Sequence, residues 1–401
     1  MSLKQILPQL SALQIQGSGN DMAWKVLYRS RRQPLLVPLN LAQARRSIAF
    51  FMRNPLLRCW GNLLLTLDRW FPRAHLLPTV QLKHFPGNIL FGSNSLTDSA
   101  LFCGFPGPLQ KLTMYCPGPD GAPGKVAKLA MATSANQAIE HEARWLQKLG
   151  HAQRIAEFLP QLLLQGALPC GLRYLAMQAL PSGISSSRFD QRHFNFLRLM
   201  AQQKPALRVW NTSQGYLRLH KRLQRIMPLM DGDAGELMQT ILFEIDQKIG
   251  HRELPVCIVH SDFTPWNLRL TRNQLFVFDW EYAEDGGNPL QDFLHFHLLP
   301  RALRRWPLRS GHMPKLLADT AIYADSMFGA DSGVADASGA LTLQYLLDTV
   351  SFYVEASGYL AIEHPVMRTY LRLLQQRAQW LPATASAQNI DTYDQPQYGA
   401  P

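Results

Sequence analysis

One stretch, residues 256–292, constrains this chain more than any other: VCIVHSDFTPWNLRLTRNQLFVFDWEYAEDGGNPLQD. The apolar run Val256 to Val259 leads into a short polar loop that carries His260, Asp262 and Asn267. A second β-rich run, Leu275 to Phe278, ends on Asp279. Short apolar runs bounded by turn residues read as strands, so the pair predicts one β-hairpin with polar side chains at both strand ends. Phosphoryl transfer asks little covalent chemistry of a protein. It needs positioned phosphates, a metal ion and a carboxylate near the attacking hydroxyl. Asp262 is placed to take or orient a hydroxyl proton. Asn267 offers a neutral oxygen and Asp279 an anionic one to Mg2+, which prefers hard oxygen ligands. A lone loop Asp is ordinarily a turn or cap residue. Three such groups, in order and at strand ends, fit that explanation poorly.

The segments HSDFTPWN (260–267) and FDWEYA (278–283) resemble the signature of the aminoglycoside phosphotransferase and choline kinase family. That family is similar in fold to the protein kinases. The resemblance implies an α+β, two-lobed protein-kinase-like fold over residues 88–381, with a small antiparallel β N-lobe and a mainly helical C-lobe. A basic N-terminal α/β extension precedes it. ATP and Mg2+ are implied, together with a small-molecule hydroxyl acceptor. Position by position, Asp262 is implied as catalytic base, His260 as the brace of the catalytic loop, and Asn267 and Asp279 as metal ligands. Asp292 is implied as a structural residue that hydrogen-bonds the loop backbone. Glu281 is left between a metal-site role and an acceptor role.

The resemblance extends into the preceding β-rich segment. Lys128 in VAKLA is implied to reach the α/β-phosphates, and Glu142 in EHEARWLQKL to pair with it. Lys125 and Glu140 compete for these roles. Lys125 leaves the turn at Gly124, where a solvent-facing side chain is expected, and Glu142 fits the E-A-x-x-L spacing better. The loop GFPGPLQK, with Gly104 and Gly107, stands where a phosphate-covering loop belongs. It lacks the G-x-G-x-x-G pattern, and its prolines stiffen it. Adenine would rest near Met177 to Leu180, with backbone groups of Gln178 and Leu180 as hinge partners. The acceptor class stays open among aminoglycosides, choline, sugars, and a glycan or lipid-linked precursor, because fold does not select among them. Trp280, Tyr282 and Glu284 are the aromatic and acidic residues a quaternary ammonium would need. His295 and His297, two apart on a helix, point to different faces and are not expected to share a metal. A reading of another class is a catalytically silent kinase-like scaffold that binds nucleotide and an anionic partner. A protein kinase fits less well, since no A-P-E segment is recognisable.

Four segments follow from periodicity and turn residues: an extension over 1–86, an N-lobe over 87–180, a helical C-lobe over 181–382 and a disordered tail over 383–401. The extension opens with a β-hairpin over 21–40. Two helices follow, broken at Asn54–Pro55. The second, LLRCWGNLLLTLDRWF, suits either a membrane interface or packing on the neighbouring lobe, and packing is the more ordinary fate. A later helix, SANQAIEHEARWLQKLG, is expected to start on a Ser134 N-cap.

Charge is uneven. Residues 1–90 hold twelve Lys or Arg against two acids, giving +10, while the other 311 residues carry +1. This predicts peripheral contact with an anionic membrane or glycan, or a merely solvated basic face. No nucleic-acid partner is expected, because no such motif accompanies the charge. Five scattered cysteines without a CxxC pair argue for a reducing setting. With no signal-peptide pattern and no spanning run, the chain is expected to be cytoplasmic, at most peripheral to the inner face of the membrane.

Overall fold

The computed structural model describes residues 10, 20–30, 33–52, 54–85, 87–91, 99–104, 107, 109–118, 123–181, 183–203, 205–230, 232–304 and 308–381. The predicted tail over 383–401 lies outside them. The chain divides into two compact units, Met1–Ser186 with Trp266–Tyr282, and Ser187–Pro265 with Ala283–Pro401. The architecture is α+β, with an antiparallel sheet in the first unit and mainly helices in the second.

Among the described residues the sheet of the first unit has eight strands in the order β3-β1-β2-β4-β5-β6-β8-β7. In chain order these are β1 (Asn20–Ser30), β2 (Gln33–Pro38), β3 (Thr79–Phe85), β4 (Ala100–Cys103), β5 (Lys111–Cys116), β6 (Lys125–Ala130), β7 (Leu162–Ala167) and β8 (Arg173–Gln178). The expected hairpin over 21–40 is therefore present as β1–β2, and β3 adds a strand from the same basic extension. These three do not form a separate sheet. Strand β2 pairs with β4 through Leu35 opposite Phe102 and Leu36 opposite Leu101, so one ladder runs from the extension into the strands that carry the site.

Two helices cover the extension. Asn40 caps α1 (Leu41–Phe51) by accepting from the Ala42 and Gln43 amides. Asn54 caps α2 (Pro55–Trp70) likewise, with Pro55 at its first position, where a missing N–H costs nothing. Helix α1 buries Ala44, Ile48 and Phe51 against Leu27, Leu35, Val37 and Ala100. Phe50 stacks flat on Tyr115 of β5 at 4.0 Å. Helix α2 buries only Gly61, Leu65 and Asp68. After a short helix α3 (Gly87–Phe91), helix α4 (Asn136–Gly150) packs on the sheet through Ile139, Glu142, Ala143, Leu146 and Leu149. It starts two residues later than the sequence suggests. Ser134 lies in a preceding 3-10 turn and Ala135 holds the N-cap position, while Asn136 is bound to the Arg173 amide and the Gly171 carbonyl.

The stretch over 256–292 folds differently from the single hairpin predicted. Strand Glu253–Val259 pairs with Ala206–Val209 on one side and Glu284–Gly287 on the other. The second run, Leu275–Val277, instead pairs with Leu268–Leu270. Thr271 and Gln274 close that tighter hairpin with two mutual backbone and side-chain bonds. Periodicity marks both runs as strands but is silent about partners. The local turn captured the second run, and the buried first run found two other edges. Gly183 lets the chain cross this hairpin closely: a Cβ there would lie 2.5 Å from the Leu270 carbonyl oxygen.

In the second unit, helices Gln191–Ala201, Gln214–Ile226, Gly232–Ile249, Gln291–Ala302, Met313–Phe328, Ser338–Ser357 and Pro365–Gln375 surround the three-stranded sheet. Among the described residues no helix is long and apolar enough to cross a membrane.

Candidate active site

The first unit gathers a dense set of charges around β6. Lys128 sits inside the sheet, opposite Thr113 on β5 and Leu175 on β8. Its ammonium lies 2.6 and 2.8 Å from the two Glu142 oxygens and 2.9 Å from Asp279 Oδ1. Glu142 is fully buried, carried inward by the same α4 face as Ile139 and Ala143. Burial alone would lower the Lys128 pKa, but the carboxylates of Asp279 and Glu142 hold it well above the usual lysine range. The competing positions lie elsewhere: Lys125 Nζ donates to the Phe91 carbonyl, and Glu140 pairs with half-exposed Arg173.

Asp279 has φ 72°, a left-handed conformation unusual for a residue with a side chain. It follows the hairpin, and the Phe278 amide donates to the Asn267 carbonyl at 3.2 Å. This brings residues 267 and 279 into one neighbourhood. One residue of the cluster, Lys111, carried no sequence signal, and it partners Glu281, whose role the sequence left open. Lys111, at the start of β5, pairs with Glu281 and lies 4.0 Å from Asp279 Oδ1. Burial first, then the Asp279 charge, pushes Glu281 up to about 7, against the pull of Lys111.

Gly104 and Gly107 lie on the β4–β5 connection, where Gly104 N–H donates to the Lys111 carbonyl and Gly107 O accepts from Gln110. The Gln178 N–H is already bound to Gln161 O, and the Leu180 carbonyl accepts from Arg269. Arg269 also reaches Pro181 O and lies over the rings of Phe50 and Phe278. Adenine recognition through residues 178–180 would therefore use other backbone groups, or the second lone pair of the Leu180 carbonyl. A cavity of about 890 Å3 beside this segment is lined by Gly150, Leu162, Gln178, Leu180 and Phe276. It includes none of Lys128, Glu142 and Asp279, so it is not their phosphate site. Trp280 is fully buried, with its indole N–H on the Val277 carbonyl, and so is unavailable to an aromatic cage.

The second unit holds the His260–Asp262 loop. Ser261 has φ 63°, and the tight turn it makes is fixed by Asp292, whose carboxylate accepts from the His260 and Ser261 amides at 2.8 and 2.9 Å. His260 is buried, and its Nδ1 accepts the Asp262 N–H at 3.2 Å. Burial pushes the Asp292 carboxyl up, against the charge and amides of the loop. Asp262 Oδ1 lies 3.2 Å from His295 Nε2. His295 Nδ1 in turn lies 3.1 Å from the Tyr345 hydroxyl, which is 2.9 Å from that of Tyr370. His295, set aside in the sequence as a poor metal ligand, is thus the direct neighbour of the key aspartate. Its spacing from His297 held no hint of this. Asp262 adds to the burial that raises Tyr353 to about 12, which puts that ring within its electrostatic reach.

Among the described residues no group of three or more His, Cys, Asp or Glu side chains is gathered to hold a metal. Asn267 and Asp279 each carry a side-chain oxygen of the hard type that Mg2+ accepts.

A model of the phosphotransferase enzyme family matches residues 121–318. The chain is similar to a thermostable mutant of the aminoglycoside phosphotransferase APH(4)-Ia in a complex with AMP-PNP and hygromycin B. Identity is 14% and TM-score 0.48, over 73% of this chain and 97% of that one. The amicoumacin kinase hAmiN with AMP-PNP, Ca2+ and its ligand is similar at 13% identity and TM-score 0.48, over 70% and 90%. A streptomycin–ATP complex of APH(2'')-IIa follows at 17% and 0.44, over 72% and 93%. No curated protein matches the chain.

Proposed function

Through residues 121–318 the chain belongs to the phosphotransferase enzyme family, and from that membership we propose an ATP- and Mg2+-dependent kinase acting on a small-molecule hydroxyl. In this reading Lys128, held by Glu142, binds the α/β-phosphates, and Asn267 and Asp279 hold Mg2+, which supplies charge neutralisation on the nucleotide. The Lys128–Glu142–Asp279 cluster is the observation that carries the reading, because a buried lysine between two carboxylates is costly unless a phosphate site needs it. His260 and Asp292 fix the loop so that Asp262 presents one carboxylate oxygen to the acceptor hydroxyl. As the hydroxyl oxygen bonds to the γ-phosphorus, its proton passes to Asp262 and the bond to the β-phosphate oxygen breaks, leaving ADP.

His295 acts here as a positioning residue. An ionised Asp262 only accepts, so His295 Nε2 carries the proton between them. Burial raises both Tyr345 and Tyr370, which stay protonated, and Tyr345 then donates to His295 Nδ1. Through that N–H the imidazole holds Oδ1 of Asp262 in place. Gly104 and Gly107 cover phosphates in this reading, and Gln178 and Leu180 border the adenine. The acceptor is of the aminoglycoside, choline or sugar type, or a glycan or lipid-linked precursor. The basic extension gives peripheral contact with an anionic membrane or glycan.

The test is ADP release by the purified chain with Mg·ATP across hydroxylated acceptors of these classes. Turnover with one of them, lost in Asp262→Asn, supports the reading. Stabilisation by Mg·ATP without turnover on any acceptor would replace it with a silent nucleotide-binding scaffold.

A further inference from the structure

Helix α2 is turned the wrong way for a helix that only packs on its own sheet. Its outward face carries Leu56, Trp60, Leu63 and Trp70, at i, i+4, i+7 and i+14, with relative exposures of 79, 58, 48 and 73%. Leu67, at i+11, is half-buried on the same line. Phe71 and Leu76 continue the patch, at 56 and 45% exposure. The inward face is thin by comparison. Gly61 lets Ile48 and Met52 of the α1 region approach, and a Cβ there would sit 3.3 Å from Ile48 Cδ1. Amphipathic helices of water-exposed domains put the apolar stripe inward. Here the longer stripe faces out.

The charge around the stripe selects what covers it. Residues 41–76 contain six arginines and one acid, Asp68. That acid is buried, ion-paired to Lys25 at 3.0 Å and bound to the Leu77 amide at 2.9 Å, so it presents no charge outward. Arg45, Arg69 and Arg73 of the same extension are exposed, and Arg69 and Arg73 flank Trp70 and Phe71 in the chain. A second copy of the chain would bring the same arginines against each other across a two-fold axis. An anionic lipid surface satisfies both features, since it takes Trp and Leu into the headgroup boundary while arginines meet phosphates. The helix spans about 24 Å along that plane.

We propose that the face of α2 bearing Leu56, Trp60, Leu63 and Trp70 is a docking surface for an anionic lipid bilayer, on which the helix lies flat. This chooses membrane over glycan as the anionic partner. It requires no turnover, so it stands or falls separately from the kinase reading.

The full chain is floated with vesicles of phosphatidylglycerol and phosphatidylethanolamine, and with vesicles of phosphatidylcholine alone. Binding to the first, weakened by salt and absent on the second, is expected. Trp60→Ser with Trp70→Ser should lower the bound fraction about tenfold or more with an unchanged melting temperature. Arg69→Glu with Arg73→Glu provides an independent variant that leaves the apolar side chains in place, and it should lose binding to anionic vesicles in the same direction. Failure of the wild-type chain to float with anionic vesicles overturns the proposal. So does binding that both double variants retain. A concentration-dependent dimer that the tryptophan variant abolishes would assign the face to a second copy instead.

Discussion

The two units hold their candidate chemistry in opposite ways. Around Lys128 the first unit concentrates full charges, with two lysines and three carboxylates joined by short ion pairs. Around Asp262 the second unit builds a hydrogen-bonded chain instead, in which an imidazole and two phenols line up behind one carboxylate oxygen. The difference matches the tasks proposed for the two clusters. Phosphates and a divalent ion demand strong fixed charge, whereas a base that must accept a proton is better held by groups that do not clamp its charge. If this contrast is functional, substitutions in the two clusters should fail in different currencies: binding and stability in the first, turnover in the second.

The sharpest way to break the contrast is Asp262→Asn, which should reduce kcat about a thousandfold while Mg·ATP affinity, read by calorimetry, stays close to wild type. A loss of only a few-fold would remove Asp262 as base. Glu142→Ala leaves Lys128 buried with Asp279 as its remaining hydrogen-bonded carboxylate. It should cost about 3–5 kcal/mol of stability in denaturant unfolding and weaken nucleotide binding as well. Next in size, His295→Gln or Tyr345→Phe should lower kcat about ten- to a hundredfold with little change in nucleotide affinity, and should shift the acid limb of the kcat/KM profile. An unchanged pH profile with lower stability would make His295 merely structural. The smallest effect belongs to Asp190, the N-cap of the helix Gln191–Ala201. Burial would raise its carboxyl, but Arg192 and His193 pull it down to about 2. Its contribution is complete above the unfolded value near 3.8 and fades as pH falls from there through about 2. Asp190→Ala should cost about 1 kcal/mol at neutral pH and flatten that part of the acid-unfolding curve.

What the sequence conveyed follows the reach of its signals. His260, Asp262, Asn267 and Asp279 form a local spacing pattern, and Glu142 is readable from the period of its helix. The Lys128 register was separable from Lys125 only by turn logic; in the structure Lys128 is the lysine paired with Glu142. Contacts set by tertiary approach left no trace. Lys111 meets Glu281 across 170 positions, and His295 meets Asp262 across 33. Strand pairing went astray for the same reason: an apolar run identifies a strand without naming its neighbour. Helix α2 adds a further case, since periodicity revealed the stripe but only its packing fixed which side turned outward.

The pairing of β2 with β4 has a practical corollary. A shortened chain starting at Gly87 would not be a smaller, cleaner catalyst. It would uncover the ladder edge at Leu101 and Phe102 and strip α1 from Tyr115, leaving a flat apolar strand with open hydrogen-bonding groups. Such an edge recruits strands from other molecules, so the expected product of that deletion is aggregate. The basic extension is thereby an edge guard as well as the proposed docking element, and the two are separable only by point substitutions on the outer face of α2.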